Sequence, residues 1–121
     1  MFNVHLGTGF SERRYQAVQL LSEDVLNQSD LSGPRLILGD FNEWMRGPTS
    51  KMLGERFRSL RPQHVAGLTR TFPGMLPILT LDNCYYEPPL ELQHTELWRS
   101  REALVASDHL PLIATFELAA R

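Results

Sequence analysis

The sequence predicts an α/β (α+β) fold from three features: a strand-like alternation at its start, an amphipathic helix after it, and an apolar run that completes a strand–helix–strand unit. In the first five-residue alternation, Phe2, Val4 and Leu6 are apolar while Asn3 and His5 are polar, the period of a strand with one wet face. His5 therefore points away from the core. The Gly-Thr-Gly at 7–9 ends this strand, and Ser11 is the expected N-cap, with Glu12 in the first turn where negative charge suits the helix dipole. Tyr15, Val18, Leu21, Val25 and Leu26 then recur at helical spacing as far as Asn27, and Arg13, Arg14, Gln16 and Glu23 form the wet face. The turn-rich segment 27–34 leads into Arg35–Phe41, whose leucine and isoleucine content reads as a buried strand ended by Gly39.

The rest of the chain continues the mixture. A short helix is expected in 47–57 with Pro48 near its first turn, and the Pro- and Gly-punctuated stretch 61–77 reads as loop. Strand character returns at 78–87 and 91–98, and 111–118 closes the chain as a final strand. With no internal repeat, low-complexity tract or linker, residues 1–121 are read as a single domain.

Composition narrows the function classes. At 121 residues the chain is long enough to bury roughly two thirds of its unfolded surface. A hydrophobic fraction of 42%, a charged fraction of 21% and the lack of any long apolar run argue against membrane insertion. The start of the chain lacks the basic, apolar and small-residue regions of an export signal, so a cytoplasmic location is the default expectation. Cys84 is the only cysteine, which excludes an internal disulfide framework and reads as a small strand residue. Net charge is −2, but Arg46, Lys51, Arg56, Arg58, Arg61 and Arg70 fall in a span whose only acid is Glu55. Such a span is either a solvated face or a rim that steers phosphate-bearing substrates.

Three polar constellations sit at the ends of expected strands, where α/β proteins commonly place their sites. In "GDFN", Asp40 and Asn42 share a side of an extended backbone; a carboxylate orients water or a hard metal and a carboxamide donates to a phosphate oxygen, although a plain turn uses the same residues. In "ASDHLPL", the Asp108 carboxylate suits Mg²⁺ or Mn²⁺ and the His109 imidazole exchanges a proton near neutral pH. Asp82 lies within a strand with no turn to account for it, so it wants a partner; a histidine held by it would have a fixed tautomer. His5 is a fourth candidate, while His64 and His94 read as ordinary exposed residues. Ser107 lacks nucleophile-elbow glycines, and no His or Cys pair has zinc-ligand spacing.

Taken in order, "NVHLG", "ERRYQ", "LILGDFNEW", "TFP" followed by "LTLDNCYY", and "ASDHLPLIATFEL" resemble the carboxyl-terminal half of the endonuclease/exonuclease/phosphatase superfamily, the DNase I-like divalent-metal-dependent phosphodiesterases and phosphatases. The resemblance runs over nearly the whole chain. It implies a fold that is half of a four-layer α/β/β/α sandwich, with a mixed, mostly antiparallel sheet and helices on one face. It also implies roles. Asp40 would orient the attacking water, Asn42 would hold a nonbridging phosphate oxygen, and Asp108 would help bind the metal. His109, oriented by Asp82, would act as base or as donor to the phosphoryl transition state, and His5 would contact phosphate or assist the leaving group.

The family's amino-terminal half, which supplies further metal ligands, is not represented in this chain, and Glu43 is no simple substitute for them. Two expectations follow. Mg²⁺ or Mn²⁺ should bind weakly, and the apolar sheet face should be covered by a second copy in a homodimer, since large apolar patches are rarely left bare. The functional expectation is hydrolysis of a phosphate ester by activated water. The alternatives are a DNA endonuclease or exonuclease and a non-catalytic, dimerising remnant.

Overall fold

The computed structural model describes residues 1–60 and 70–119. Strand β1 (Phe2–His5) is followed by helix α1 (Phe10–Leu20), strand β2 (Leu36–Asp40), helix α2 (Pro48–Gly54), the short strand β3 (Arg58–Ser59), strands β4 (Asp82–Tyr86) and β5 (Leu90–Leu97), helix α3 (Arg101–Ala106) and strand β6 (Leu112–Leu118). Four strands form a mixed sheet in the order β1-β2-β4-β3, with β1 parallel to β2 and the other pairs antiparallel; β5 and β6 form a separate antiparallel pair. The expected strand–helix–strand crossover is therefore present. The mixed α+β architecture is also present.

Strand alternation divides the sheet into two chemically different faces. Phe2, Val4, Ile37 and Tyr85 point to one side and pack with Leu20 and Leu26 of the α1 region and with Leu53 and Phe57 of the α2 region. Leu36, Leu38, Cys84 and Tyr86 point to the other side, where Leu90, Leu92, Leu112 and Phe116 of the β5–β6 pair meet them. Cys84 is buried there, and burial pushes its thiol up to about 12, so it behaves as a small apolar residue.

Helix α1 differs from the expected helix in extent and in orientation. It begins after Gly9 rather than Ser11 and ends at Leu20, well before Asn27. Tyr15 and Val18 are 65% and 47% exposed, whereas Ala17 and Leu20 are buried. The cause lies in the preceding loop: the Gly7 N–H donates to Gln16 Oε1 at 2.8 Å, and Arg13 Nη1 donates to the carbonyls of Gly7 and Thr8. Backbone polar groups near a core must find partners, so α1 turns two side chains assigned to its wet face toward the loop.

Strand β2 continues through Gly39 to Asp40 rather than ending at the glycine. Gly39 has φ +139°, and a Cβ there would sit 1.9 Å from the Val4 carbonyl oxygen. Only glycine allows β1 this close to β2. Helix α2 forms with Pro48 in its first turn, as expected, and its first N–H groups are met by Glu43: Oε1 accepts from Thr49 at 3.1 Å and Oε2 from Ser50 at 2.8 Å. Glu43 is 4% exposed, and both of its carboxylate oxygens serve the start of this helix. Two further elements were not foreseen, β3 and α3; the latter is capped by Ser100, whose Oγ accepts from the Ala103 N–H at 3.1 Å.

Candidate active site

Register places three of the singled-out side chains in one row. His5 on β1 pairs with Asp40 on β2, which pairs with Asp82 on β4. Residues opposite one another in a sheet share a face, so all three project from the side that carries Leu38 and Cys84. The His5 Nε2 lies 3.7 Å from Asp40 Oδ2. Asp82 is the first residue of β4 rather than one embedded in a longer strand.

Two carboxylates set directly opposite each other repel, and a cation or donor between them relieves the strain. His109 takes that position. Its Nδ1 lies 2.7 Å from Asp82 Oδ2, and its Nε2 lies 3.8 Å from Asp40 Oδ2. Partial burial pulls the imidazole pKa down, but the hydrogen bond to Asp82 and the negative charges of Asp82, Asp40 and Asp108 outweigh it, and the net shift is upward from the ordinary value of 6.5. Because Asp82 accepts the Nδ1 proton, the neutral ring presents Nε2 as its free acceptor toward Asp40.

Sequence reasoning missed how His109 is gripped. The Thr71 carbonyl accepts from the Leu110 N–H at 2.8 Å, the Asp108 carbonyl accepts from the Gly74 N–H at 2.7 Å, and the Phe72 ring lies 5.0 Å from the imidazole. The loop holding "TFPG" thus brackets His109 on both sides. The short "TFP" string was the available signal, but nothing in it discloses a backbone clamp.

Asn42 has φ +49°, so Asp40 and Asn42 are joined by a turn and not by extended backbone. The Asn42 backbone N–H donates to Asp40 Oδ1 at 2.8 Å, and Asn42 Nδ2 donates to the Leu6 carbonyl at 2.7 Å. This arrangement unites the turn and the site: Asn42 ties the loop after β1 to the loop after β2, and one amide hydrogen is left over for another acceptor. Asp108 is exposed and lines a neighbouring hollow with Gly74 and Leu104, whereas Asp82 and His109 line the apolar hollow on the sheet face. Its charge reaches His109, but it makes no hydrogen bond to the row.

Among the described residues, no three His, Cys, Asp or Glu side chains are grouped as a metal cage. The carboxylates present are suitable hard donors, but no three of them converge, so these residues fit a divalent cation incompletely. Of the basic span, Arg56 is occupied by Glu87 at 2.8 Å while Arg46, Lys51, Arg58 and Arg70 are exposed; Arg61 and His64 lie outside the described residues. His94 is exposed, 3.6 Å from Glu96.

At the ends of β1, β2 and β4 the mixed sheet sets His5, Asp40 and Asp82 in a row, and the loops bring His109 and Asn42 beside it, in an α+β fold. Comparison with known proteins specifies which kind. The chain belongs to the Endonuclease/Exonuclease/phosphatase family, whose model matches residues 3–109. It is 31% identical to the uncharacterized protein YbhP of Escherichia coli K12 over 95% of this chain and 45% of that protein. Among solved structures it is similar to a functionally unknown conserved protein from Enterococcus faecalis V583, with a TM-score of 0.78, 23% identity, and coverage of 97% of this chain and 49% of the other. It is also similar to a mannosyl-6-phosphatase from Bacteroides thetaiotaomicron, with a TM-score of 0.65, 19% identity, and coverage of 96% and 50%. The chain therefore spans about half the length of the relatives it matches, and the structural likenesses show the DNase I-like fold. No helix among the described residues is long and apolar enough to cross a membrane.

The pH dependence follows from the His109 environment. A histidine raised by its partner contributes stability that is fully present below its unfolded-state pKa of about 6.5 and is lost as pH rises through the folded-state value. In an NMR titration of the His109 ring, Asp82→Asn is expected to move the midpoint to lower pH. An unchanged or higher midpoint in the variant would show that Asp82 does not hold the imidazolium.

Proposed function

We propose that this chain contributes the acid–base part of a phosphate-ester hydrolysis centre. The observation that carries the reading is the cross-strand row His5–Asp40–Asp82 with His109 seated over it at 2.7 Å and 3.8 Å from its two carboxylates. Asp40 faces the open side with two imidazoles beside it, so it orients the attacking water and receives its proton. His109, kept cationic to higher pH by Asp82, donates to the phosphoryl oxygens as negative charge builds there. Asn42 supplies its remaining amide hydrogen to a nonbridging oxygen, and exposed His5 stands where it can protonate the departing alcohol.

Divalent-metal dependence is part of the proposal, with Mg²⁺ or Mn²⁺ held weakly because Asp108 lies apart from the row. The test is release of p-nitrophenol from bis(p-nitrophenyl) phosphate with millimolar Mn²⁺. The expected result is measurable turnover that EDTA abolishes and that Asp40→Ala lowers by about a hundredfold or more, the usual size of a lost acid–base group. A rate indistinguishable from buffer would leave the non-catalytic reading, and full activity of Asp40→Ala would remove Asp40 from the chemistry.

The same reading extends to assembly. Beside the row, the sheet face holds a hollow of about 490 Å³ lined by Leu38, Cys84, Leu112 and Phe116, with Leu36 and Leu38 only half-buried. We propose that a second copy covers the part of this face that the β5–β6 pair leaves open, because water against such a surface is unfavourable at roughly 25 cal/mol per Å². Light scattering coupled to size exclusion is expected to give about twice the 13.9 kDa of the chain. A sharp monomer peak at all concentrations would contradict it.

A further inference from the structure

Gln16 and Arg13 stand one turn apart on α1, on the face that meets the loop after β1. The acid–base chemistry described above uses neither. The Gly7 N–H donates to Gln16 Oε1 at 2.8 Å, and the Gly7 carbonyl accepts from Arg13 Nη1 at 3.3 Å. An N–H only donates, so the oxygen of the Gln16 amide must be the atom that faces it. The helix comes this close because residue 7 has no side chain: a Cβ there would lie 2.0 Å from Glu12 Oε2.

The Gly7 N–H belongs to the same peptide group as the Leu6 carbonyl. That group is planar and trans, so its N–H and C=O point in opposite directions and neither turns without the other. On the carbonyl side, Leu6 accepts from Asn42 Nδ2 at 2.7 Å. Gln16 and Asn42 thus hold the two ends of one rigid plate, and each bond polarises the peptide in the sense that strengthens the other. The Leu6 N–H donates to the Asp40 carbonyl at 2.9 Å and the Asn42 N–H donates to Asp40 Oδ1 at 2.8 Å, which ties the plate to the row. The Asn42 NH₂ is itself planar, so the hydrogen given to Leu6 fixes the direction of the second one.

We propose that Gln16 is a positioning residue of this site: by holding the Gly7 N–H it sets the direction of the Leu6 carbonyl, and that carbonyl aims the remaining amide hydrogen of Asn42. The effect on Asn42 follows from the hydrogen bonds alone. The effect on turnover rests on the phosphate-ester reading, in which that hydrogen meets a nonbridging oxygen. Because the ordering comes from a helix side chain rather than from substrate, Asn42 is aimed before substrate arrives.

Gln16→Met removes the acceptor at nearly constant length, and Gln16→Glu keeps an acceptor oxygen. By NMR, the Asn42 side-chain amide hydrogens are expected to exchange with water about fivefold faster in Gln16→Met, the scale of one lost hydrogen bond, while the β4 backbone amides stay at their native rates. Gln16→Ala, which adds no bulk, should do the same and guards against misfolding of Gln16→Met; Gln16→Glu is expected to restore the native rate. Native exchange in Gln16→Met and Gln16→Ala, or equal acceleration in all three variants, would overturn the proposal. With bis(p-nitrophenyl) phosphate and Mn²⁺, Gln16→Met is expected to lower kcat about tenfold with little change in KM, and to cost nothing further in an Asn42→Ala background. Additive losses in that double variant would also overturn it. A protein without turnover in which the Asn42 amide still responds would end the hydrolysis reading and leave the link to Gln16 standing; an active protein in which it does not respond would do the reverse.

Discussion

Two carboxylates placed opposite each other on neighbouring strands are the constraint around which the site is organised. Asp40 and Asp82 are fixed in register by the β2–β4 ladder, so the sheet cannot relieve their repulsion by sliding. A one-residue slip would turn the buried and wet faces over together. Relief comes instead from His109, which belongs to a distant part of the chain and lies between the two acids. The contact that relieves this end of the sheet is thus also the one that raises the imidazole pKa and orients the ring.

Rigid support reaches this point from both sides. Gly39 lets β1 approach β2 closely, which sets His5 beside Asp40, and the polar contacts from Arg13 and Gln16 pin the loop that follows His5. On the other flank, backbone bonds from Thr71 and Gly74 bracket His109. Catalytic geometry needs such fixed surroundings, because a loosely held group spends its interaction energy on becoming ordered. The apolar face beside the row belongs to the same design: it places the acid–base groups at the rim of a hydrophobic surface, where a covering layer would strengthen every charge interaction nearby.

Much of this was legible in the sequence because it depends on short-range periodicity. The alternation of Phe2, Val4 and His5, the apolar run into Asp40, the Pro48 helix start and the "SDH" string each carry their meaning within a few residues, and their joint order pointed to the family. What was hidden depends on distant partners. Tyr15 and Val18 have the spacing of a buried stripe but lie outward, because Gln16 and Arg13 answer backbone groups that no helical wheel displays. Asn42 reads as extended from "GDFN", yet its bond to the Leu6 carbonyl favours a left-handed turn. Helix α3 has a readable Ser100 cap but only six residues, too few for a periodic signal. Glu43 follows the candidate residues Asp40 and Asn42 in sequence, and only the path of the chain into α2 shows that its carboxylate meets the first N–H groups of that helix.

The central claim is that Asp82 fixes the ring of His109 so that Nε2 faces Asp40. The most direct measurement is the ¹⁵N chemical shift of the two ring nitrogens of His109 above its pKa, where the imidazole is neutral. The account predicts a protonated Nδ1 and an unprotonated Nε2. A ring protonated at Nε2, or one averaging between tautomers, would contradict it.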